Sequence, residues 1–321
     1  MCIRDRNKSV SIKDVATLFC NKHLDLWGSE PVQQINLPDK SIDALSKAAL
    51  KTTDKNFLNV TTKDLPECSD AITEIREAIF QRSGAVVVSR FPVENYETSV
   101  SRRAAGILSN LLAPLMAQDV KQTLLYDVFD EGRAKTNTTR RSKTNEEQPF
   151  HTDGPWFETP PNIIGLFCVK PADTGGFSQV SSLQKALMSI IDDDSQAPDM
   201  LSDTPLYWNK MGQHEHGEEV VSVLPVIEMS DQGKIIRHYP DYVRSGCKMA
   251  GEPLDKDVNS TLTSIASKLS ANACDAFRLE AGEFQYVNNW NVAHARAKFS
   301  DSEVQSGRHL VRLWCKPLPT A

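Results

Sequence analysis

From residue 123 to the C-terminus the chain is a succession of short apolar stretches parted by glycine, proline and aspartate, and this pattern constrains the fold more than any other feature. The stretches are 124–128, 163–169, 220–224, 235–237, 276–279, 284–287 and 310–314, rich in Val, Ile, Leu and Phe. None can bury its side chains alone, so several must pack face to face as a sandwich or close into a barrel. Helices are predicted around them. Over 69–82, Ile72, Ile75, Ala78 and Ile79 recur at helical spacing and Gly84 follows as a stop. Residues 85–89 then read as a buried strand, and 95–117 return to helical spacing through Ala104, Ile107, Leu108, Leu111 and Leu115. Two helical inserts are expected at about 182–193 and 258–274.

The expectation is a mainly β chain with α-helices on its flanks. Residues 1–9 form an unstructured tail and 10–321 one domain, with a helical part at 10–83 holding three helix-like stretches and a β core over about 84–317. A chain of 321 residues, 40% hydrophobic and without a clear linker, can bury one sizeable core. Its formal net charge of −6 gives no overall positive field to hold a polyanion, which argues against nucleic acid. Seven scattered cysteines, with no C-x-x-C pair, read as reduced thiols. No apolar run reaches the length of a membrane span and no secretory signal is legible, so the expected location is cytoplasmic. Residues 131–148 are polar and basic, either a solvated loop or a lid whose Arg133, Lys135, Arg140, Arg141 and Lys143 draw in an anion.

The chemistry concentrates in two places. Phe150-His151-Thr152-Asp153-Gly154 puts an imidazole and a carboxylate on alternate residues of an extended segment, where both side chains point the same way. A second histidine, His294, follows a predicted strand over 284–290. Two histidines and one carboxylate cover one face of an octahedral ion and leave the other open, as in oxygen-activating non-haem iron(II) sites; zinc accepts the same ligands. His214-Glu215-His216 is a rival pair without a third ligand, in a polar run that reads as an exposed hairpin, and His238 reads as a satisfied sheet histidine. Strand alternation over 308–314 places Arg308 and Arg312 on one face. Two guanidiniums there are costly unless anions meet them, and a guanidinium grips a carboxylate through two parallel hydrogen bonds.

His151-Thr152-Asp153-Gly154, Gly175-Gly176-Phe177-Ser178, His294-Ala295-Arg296 and the segment from Arg308 to Trp314, in this order, resemble the taurine dioxygenase (TauD/TfdA) family over about residues 84–317. The resemblance implies a double-stranded β-helix, or jelly-roll, core and an oxygenase using Fe(II), 2-oxoglutarate and O2. It implies His151, Asp153 and His294 as metal ligands, Arg308 anchoring the distal carboxylate of 2-oxoglutarate, and Ser178, where the family has threonine, donating to that carboxylate. Arg312 and Trp156 become substrate candidates. The expected reaction is hydroxylation or desaturation of a small substrate, an amino acid, betaine, sulfonate or other acid, with release of succinate and CO2. Family members often assemble as homo-oligomers. A zinc hydrolase with the same triad and a non-catalytic jelly-roll binding protein stand as alternatives; neither makes use of the whole motif set.

Overall fold

The structure, a computed structural model, describes residues 32–132, 141–191, 197–230, 233–302 and 307–318. The N-terminal part runs β1 (Gln33–Asn36), α1 (Asp39–Lys51), α2 (Ser69–Phe80), β2 (Ala85–Ser89), α3 (Thr98–Leu112) and β3 (Leu125–Val128). Next come β4 (Gln148–His151), β5 (Ile163–Lys170), β6 (Thr174–Gly175), β7 (Ser178–Ser182), α4 (Leu183–Ile191) and α5 (Ala197–Asp203). Two hairpins, β8 (Leu206–Asn209) with β9 (Val221–Leu224) and β10 (Ile227–Ser230) with β11 (Gly233–Ile236), lead into α6 (Pro240–Ala250) and α7 (Lys256–Ala271). The last strands are β12 (Phe284–Asn288), β13 (Val292–Arg296), β14 (Phe299–Ser300) and β15 (His309–Cys315).

Six strands form the larger sheet in the order β1-β2-β12-β5-β15-β3, and three form the smaller one, β4-β13-β7. Every pairing is antiparallel except β1 with β2. Leu166, Gln285 and Leu310 from the larger sheet and His151, Ser178 and His294 from the smaller line one cavity, so the site lies between the sheets. The architecture is the expected jelly roll.

Each sheet has its own helical cover. Leu45, Ile75, Ile79, Ile107 and Leu108 of α1–α3 pack with Val86, Val88, Phe167, Phe284 and Tyr286 on the larger sheet. On the smaller sheet, Phe150 and Ala293 meet Leu187, Val243 and Leu262 of α4, α6 and α7 together with Trp208. Each such side chain, fully buried, contributes about 1.5–3 kcal/mol, which fixes the strands that carry the chemistry. Helix ends follow local chemistry: the Asp255 carboxylate accepts from the Asp257 and Val258 amides at the start of α7.

Sequence reading missed several elements. Residues 10–83 are not wholly helical, because β1 pairs parallel with β2; with only Ile35 and Leu37 buried around it, four residues gave no period to detect. Two α-helices, α1 and α2, follow β1 with two 3-10 turns between them, Phe57–Asn59 and Pro66–Cys68, and the expected tail lies outside the described residues. Residues 276–279 make one bridge, Phe277 to Ser178, rather than a strand. Helix α6 was overlooked although Pro240 in its first turn and Gly251 at its end, with φ of 73°, mark both boundaries.

Candidate active site

Backbone register brings the two histidines together. In the β4–β13 ladder His294 lies directly opposite His151, and their rings sit 4.2 Å apart between centroids. Here the structure differs from expectation only in detail: a turn at Asn288–Asn291 puts His294 on a strand of its own instead of just past one. Asp153 follows the end of β4, where Gly154, at φ +64°, turns the chain, and its Oδ1 is 3.4 Å from His151 Nε2. One ligand atom from each of His151, Asp153 and His294 lies within 4.8 Å of the others, and all three residues are buried. Among the described residues no other three histidine, cysteine or carboxylate side chains converge in this way.

The donor atoms are aimed by their neighbours. His151 donates from Nδ1 to the Pro149 carbonyl (2.9 Å), leaving Nε2 as the lone-pair nitrogen, which accepts from Gln148 Nε2 (2.7 Å). Asp153 Oδ2 accepts from the Trp314 indole N–H (2.8 Å) and pairs with Arg312 (3.2 Å), which keeps Oδ1 toward the histidines. Burial by itself would raise the Asp153 carboxyl, but Arg312 and the two imidazoles outweigh it and hold the group well below the usual carboxylate range. His294 is pushed down to about 3 by burial and by His151, so it stays a neutral imidazole, the form that binds metal.

Arg308 reaches the same cavity from the larger-sheet side. It is 5% exposed, its Nη1 has no hydrogen-bond partner, and its guanidinium lies 5.2 Å from the Phe299 ring centroid. Gly176, at φ +70°, passes so close that a Cβ there would meet Arg308 Nε at 3.3 Å, a physical reason for the second glycine of the pair. Ser178, buried at the start of β7, lines this cavity too. Arg312 lines both this cavity and the hollow beside it, with its guanidinium already partnered. Besides Asp153 it donates to Gln118 Oε1 (2.9 Å) and lies 4.9 and 4.8 Å from the Tyr126 and Trp314 rings.

A second hollow adjoins the triad, walled by Trp156, Tyr239, Tyr242 and Trp314. Tyr239 stacks on Tyr242 at 3.7 Å and approaches His151 to 4.9 Å, while Trp156 lies 5.9 Å from Tyr242. The Trp156 indole N–H is buried without a partner. Of the basic segment, 133–140 lies outside the described residues, which takes in Arg133, Lys135 and Arg140. Arg141 is paired with Asp241 (3.0 Å) and Lys143 with Glu131 (2.5 Å), so neither is a free cation.

The model of the family "Taurine catabolism dioxygenase TauD, TfdA family" matches residues 48–314. The chain belongs to the TauD/TfdA family. Members are iron(II)- and 2-oxoglutarate-dependent dioxygenases, which makes the chain an oxidoreductase. FR-33289 synthase of Streptomyces rubellomurinus (strain ATCC 31215) is 25% identical over 264 residues, covering 78% of this chain and 74% of that one. Among solved structures, an asparagine oxygenase in complex with Fe(II), 2S,3S-3-hydroxyasparagine and succinate superposes with a TM-score of 0.65 at 17% identity, covering 88% of this chain and 93% of the other. The non-heme iron oxygenase OrfP, in complex with Fe and alpha-ketoglutaric acid, gives 0.64 at 13% identity, covering 89% and 94%.

Against this TauD/TfdA background, the residues that the sequence did not reveal are mostly those that hold others in place. Asn289 is buried and accepts from the Asp153 N–H (2.8 Å) while donating to the carbonyls of Asp153 and Pro161 (both 2.9 Å), so it fixes the loop that presents the carboxylate. Arg237, fully buried, pairs with Glu228 (2.8 Å) and donates to the Glu158 carbonyl (2.8 Å), tying that loop to the β10–β11 hairpin. His238 overturns the expectation of a satisfied sheet histidine: both ring nitrogens are buried without a hydrogen-bond partner, and burial pushes its pKa down to about 3. Its backbone instead bonds with Thr152, holding the extended segment between His151 and Asp153 (2.8 and 2.9 Å). His216 is exposed in the β8–β9 turn, next to the half-buried His214, as the hairpin reading requires. No described helix is long and apolar enough to cross a membrane.

Proposed function

We propose that His151, Asp153 and His294 hold the iron, that Arg308 and Ser178 receive 2-oxoglutarate, and that the aromatic hollow beside them receives a small carboxylate-bearing substrate for hydroxylation. The observation that carries this reading is the convergence of two imidazoles and one carboxylate beside a buried guanidinium with an unpaired N–H. The donor set fits a borderline divalent ion and leaves a face free. Charge supports the co-substrate as well. Asp153 is already shared with Arg312, so an arriving dication is under-neutralised by the protein, and Arg308 adds a further positive charge. A dianion that chelates the metal at one end and meets Arg308 at the other relieves both.

When bound, the iron supplies dioxygen activation coupled to decarboxylation of 2-oxoglutarate to succinate and CO2. The chain supplies geometry. The Pro149 carbonyl sets the His151 ring through Nδ1, while Trp314 and Arg312 hold Asp153 Oδ2 so that Oδ1 would be left to ligate. Tyr239, Tyr242 and Trp156 exclude water and position the carbon to be attacked close to the metal. A small substrate accords with the hydroxyasparagine bound by the structurally similar asparagine oxygenase. The decisive test is anaerobic titration of the metal-free protein with Fe(II) and 2-oxoglutarate. A weak visible charge-transfer band is expected from the chelate; a folded, metal-loaded protein without that band and without 2-oxoglutarate binding would return the zinc reading to the front.

A further inference from the structure

Arg308 is not the lone arginine in the co-substrate cavity. Arg296, at the end of β13 and opposite Ser178 in the β13–β7 ladder, lines the same space. It is 7% exposed, and its guanidinium lies 5.0 Å from the centroid of Phe299, the ring that also carries Arg308. One nitrogen of this guanidinium is occupied: Nη2 donates to the carbonyls of Thr144 and Glu146. Its Nε is buried with no hydrogen-bond partner, like Arg308 Nη1. Of the three guanidiniums lining this cavity Arg312 is paired with Asp153; the other two repel each other, and each keeps an N–H unsatisfied, and both costs fall when an anion enters. The stretch held by Nη2 is tethered again at the start of β14, where the Phe299 amide donates to the Asn145 carbonyl (3.1 Å) and the preceding Lys298 pairs with Glu146 (3.2 Å).

We propose that Arg296 is a second cationic contact for the co-substrate and that, through Nη2, it couples co-substrate binding to the main chain of residues 144–146, just ahead of the strand bearing His151. The inference rests on the 2-oxoglutarate reading above. A purely structural role would satisfy the two carbonyls and stop there. The geometry goes further, because a ligand carboxylate on the Nε–H fixes the plane of the same rigid guanidinium whose Nη2 holds the two carbonyls.

Hydrogen–deuterium exchange of the intact protein, loaded anaerobically with Zn(II) in place of iron and compared with and without 2-oxoglutarate, tests the coupling. Exchange of peptides spanning residues 141–150 is expected to slow several-fold when 2-oxoglutarate binds. Arg296→Lys should bind 2-oxoglutarate about tenfold more weakly by calorimetry, as for loss of one charge-assisted hydrogen bond, and show no slowing even at saturation. Arg308→Lys should lose at least as much affinity yet keep the slowing once saturated. Wild-type affinity in a folded Arg296→Lys protein overturns the proposal. If that variant does not fold, the wild-type arm still decides: bound 2-oxoglutarate with unchanged exchange at 141–150 overturns the coupling and leaves the metal and co-substrate reading intact. A wild-type protein that takes up Zn(II) but no 2-oxoglutarate sinks both.

Discussion

The proposed metal half of the site and the proposed substrate half are built by different means. On the metal side, His151, Ser178 and His294 sit on directly paired strands, so backbone hydrogen bonds set their separation. On the substrate side, Trp156 lies on a loop and Tyr239 and Tyr242 lie at the start of α6, and side chains brought from elsewhere set their positions: Arg237 on Glu158, and the Trp290 indole N–H on the Pro160 carbonyl (3.1 Å). Helix α6 is itself seated closely, since a Cβ at Gly246 would come within 2.1 Å of the Tyr207 carbonyl oxygen. A ladder tolerates little drift before its pairing is lost, whereas a wall of stacked rings can be reshaped one residue at a time. The same frame can therefore keep its metal chemistry while its substrate changes.

Substitutions on the two sides should separate accordingly. The largest effect is expected for His151→Ala or Asp153→Ala: Fe(II) retained after desalting and succinate release should both fall below detection, and normal turnover in either variant would break the assignment outright. Arg308→Ala should raise the KM for 2-oxoglutarate about a hundredfold while bound iron, measured by elemental analysis, stays at the wild-type level. Arg312→Ala sharpens the boundary between the halves. Because Arg312 braces Asp153, it should weaken metal affinity by roughly 10–100-fold, and a change confined to substrate KM would move it to the other side. The smallest effect is expected for Trp156→Phe, a change of about threefold in substrate KM with more succinate formed per hydroxylated product and unaltered metal and 2-oxoglutarate affinity.

This division also explains what the sequence made legible. His151 and Asp153 stood out as candidates because alternation along a strand is a local rule, Arg308 because a charged residue in an apolar strand is conspicuous, and His294 only through the family's motif order. Arg312 stood out for the same reason, but its partner, Asp153, lies far away in sequence and no local rule reveals the pair. Asn289, Arg237 and Tyr239 went unnoticed because their importance lies in which carbonyl or ring they meet after folding. The strand β1 left no trace for another reason: four residues at a sheet edge show no measurable period, and the parallel partner supplies the information.

The two donors that converge on Asp153 Oδ2 have a consequence for a protein without that side chain. The indole N–H of Trp314 and the guanidinium of Arg312 are positioned by the larger sheet and by Gln118, independently of Asp153. Shortening the residue to alanine or glycine therefore leaves a small receptor for a free anion, and millimolar formate should restore part of the iron affinity that the substitution removes.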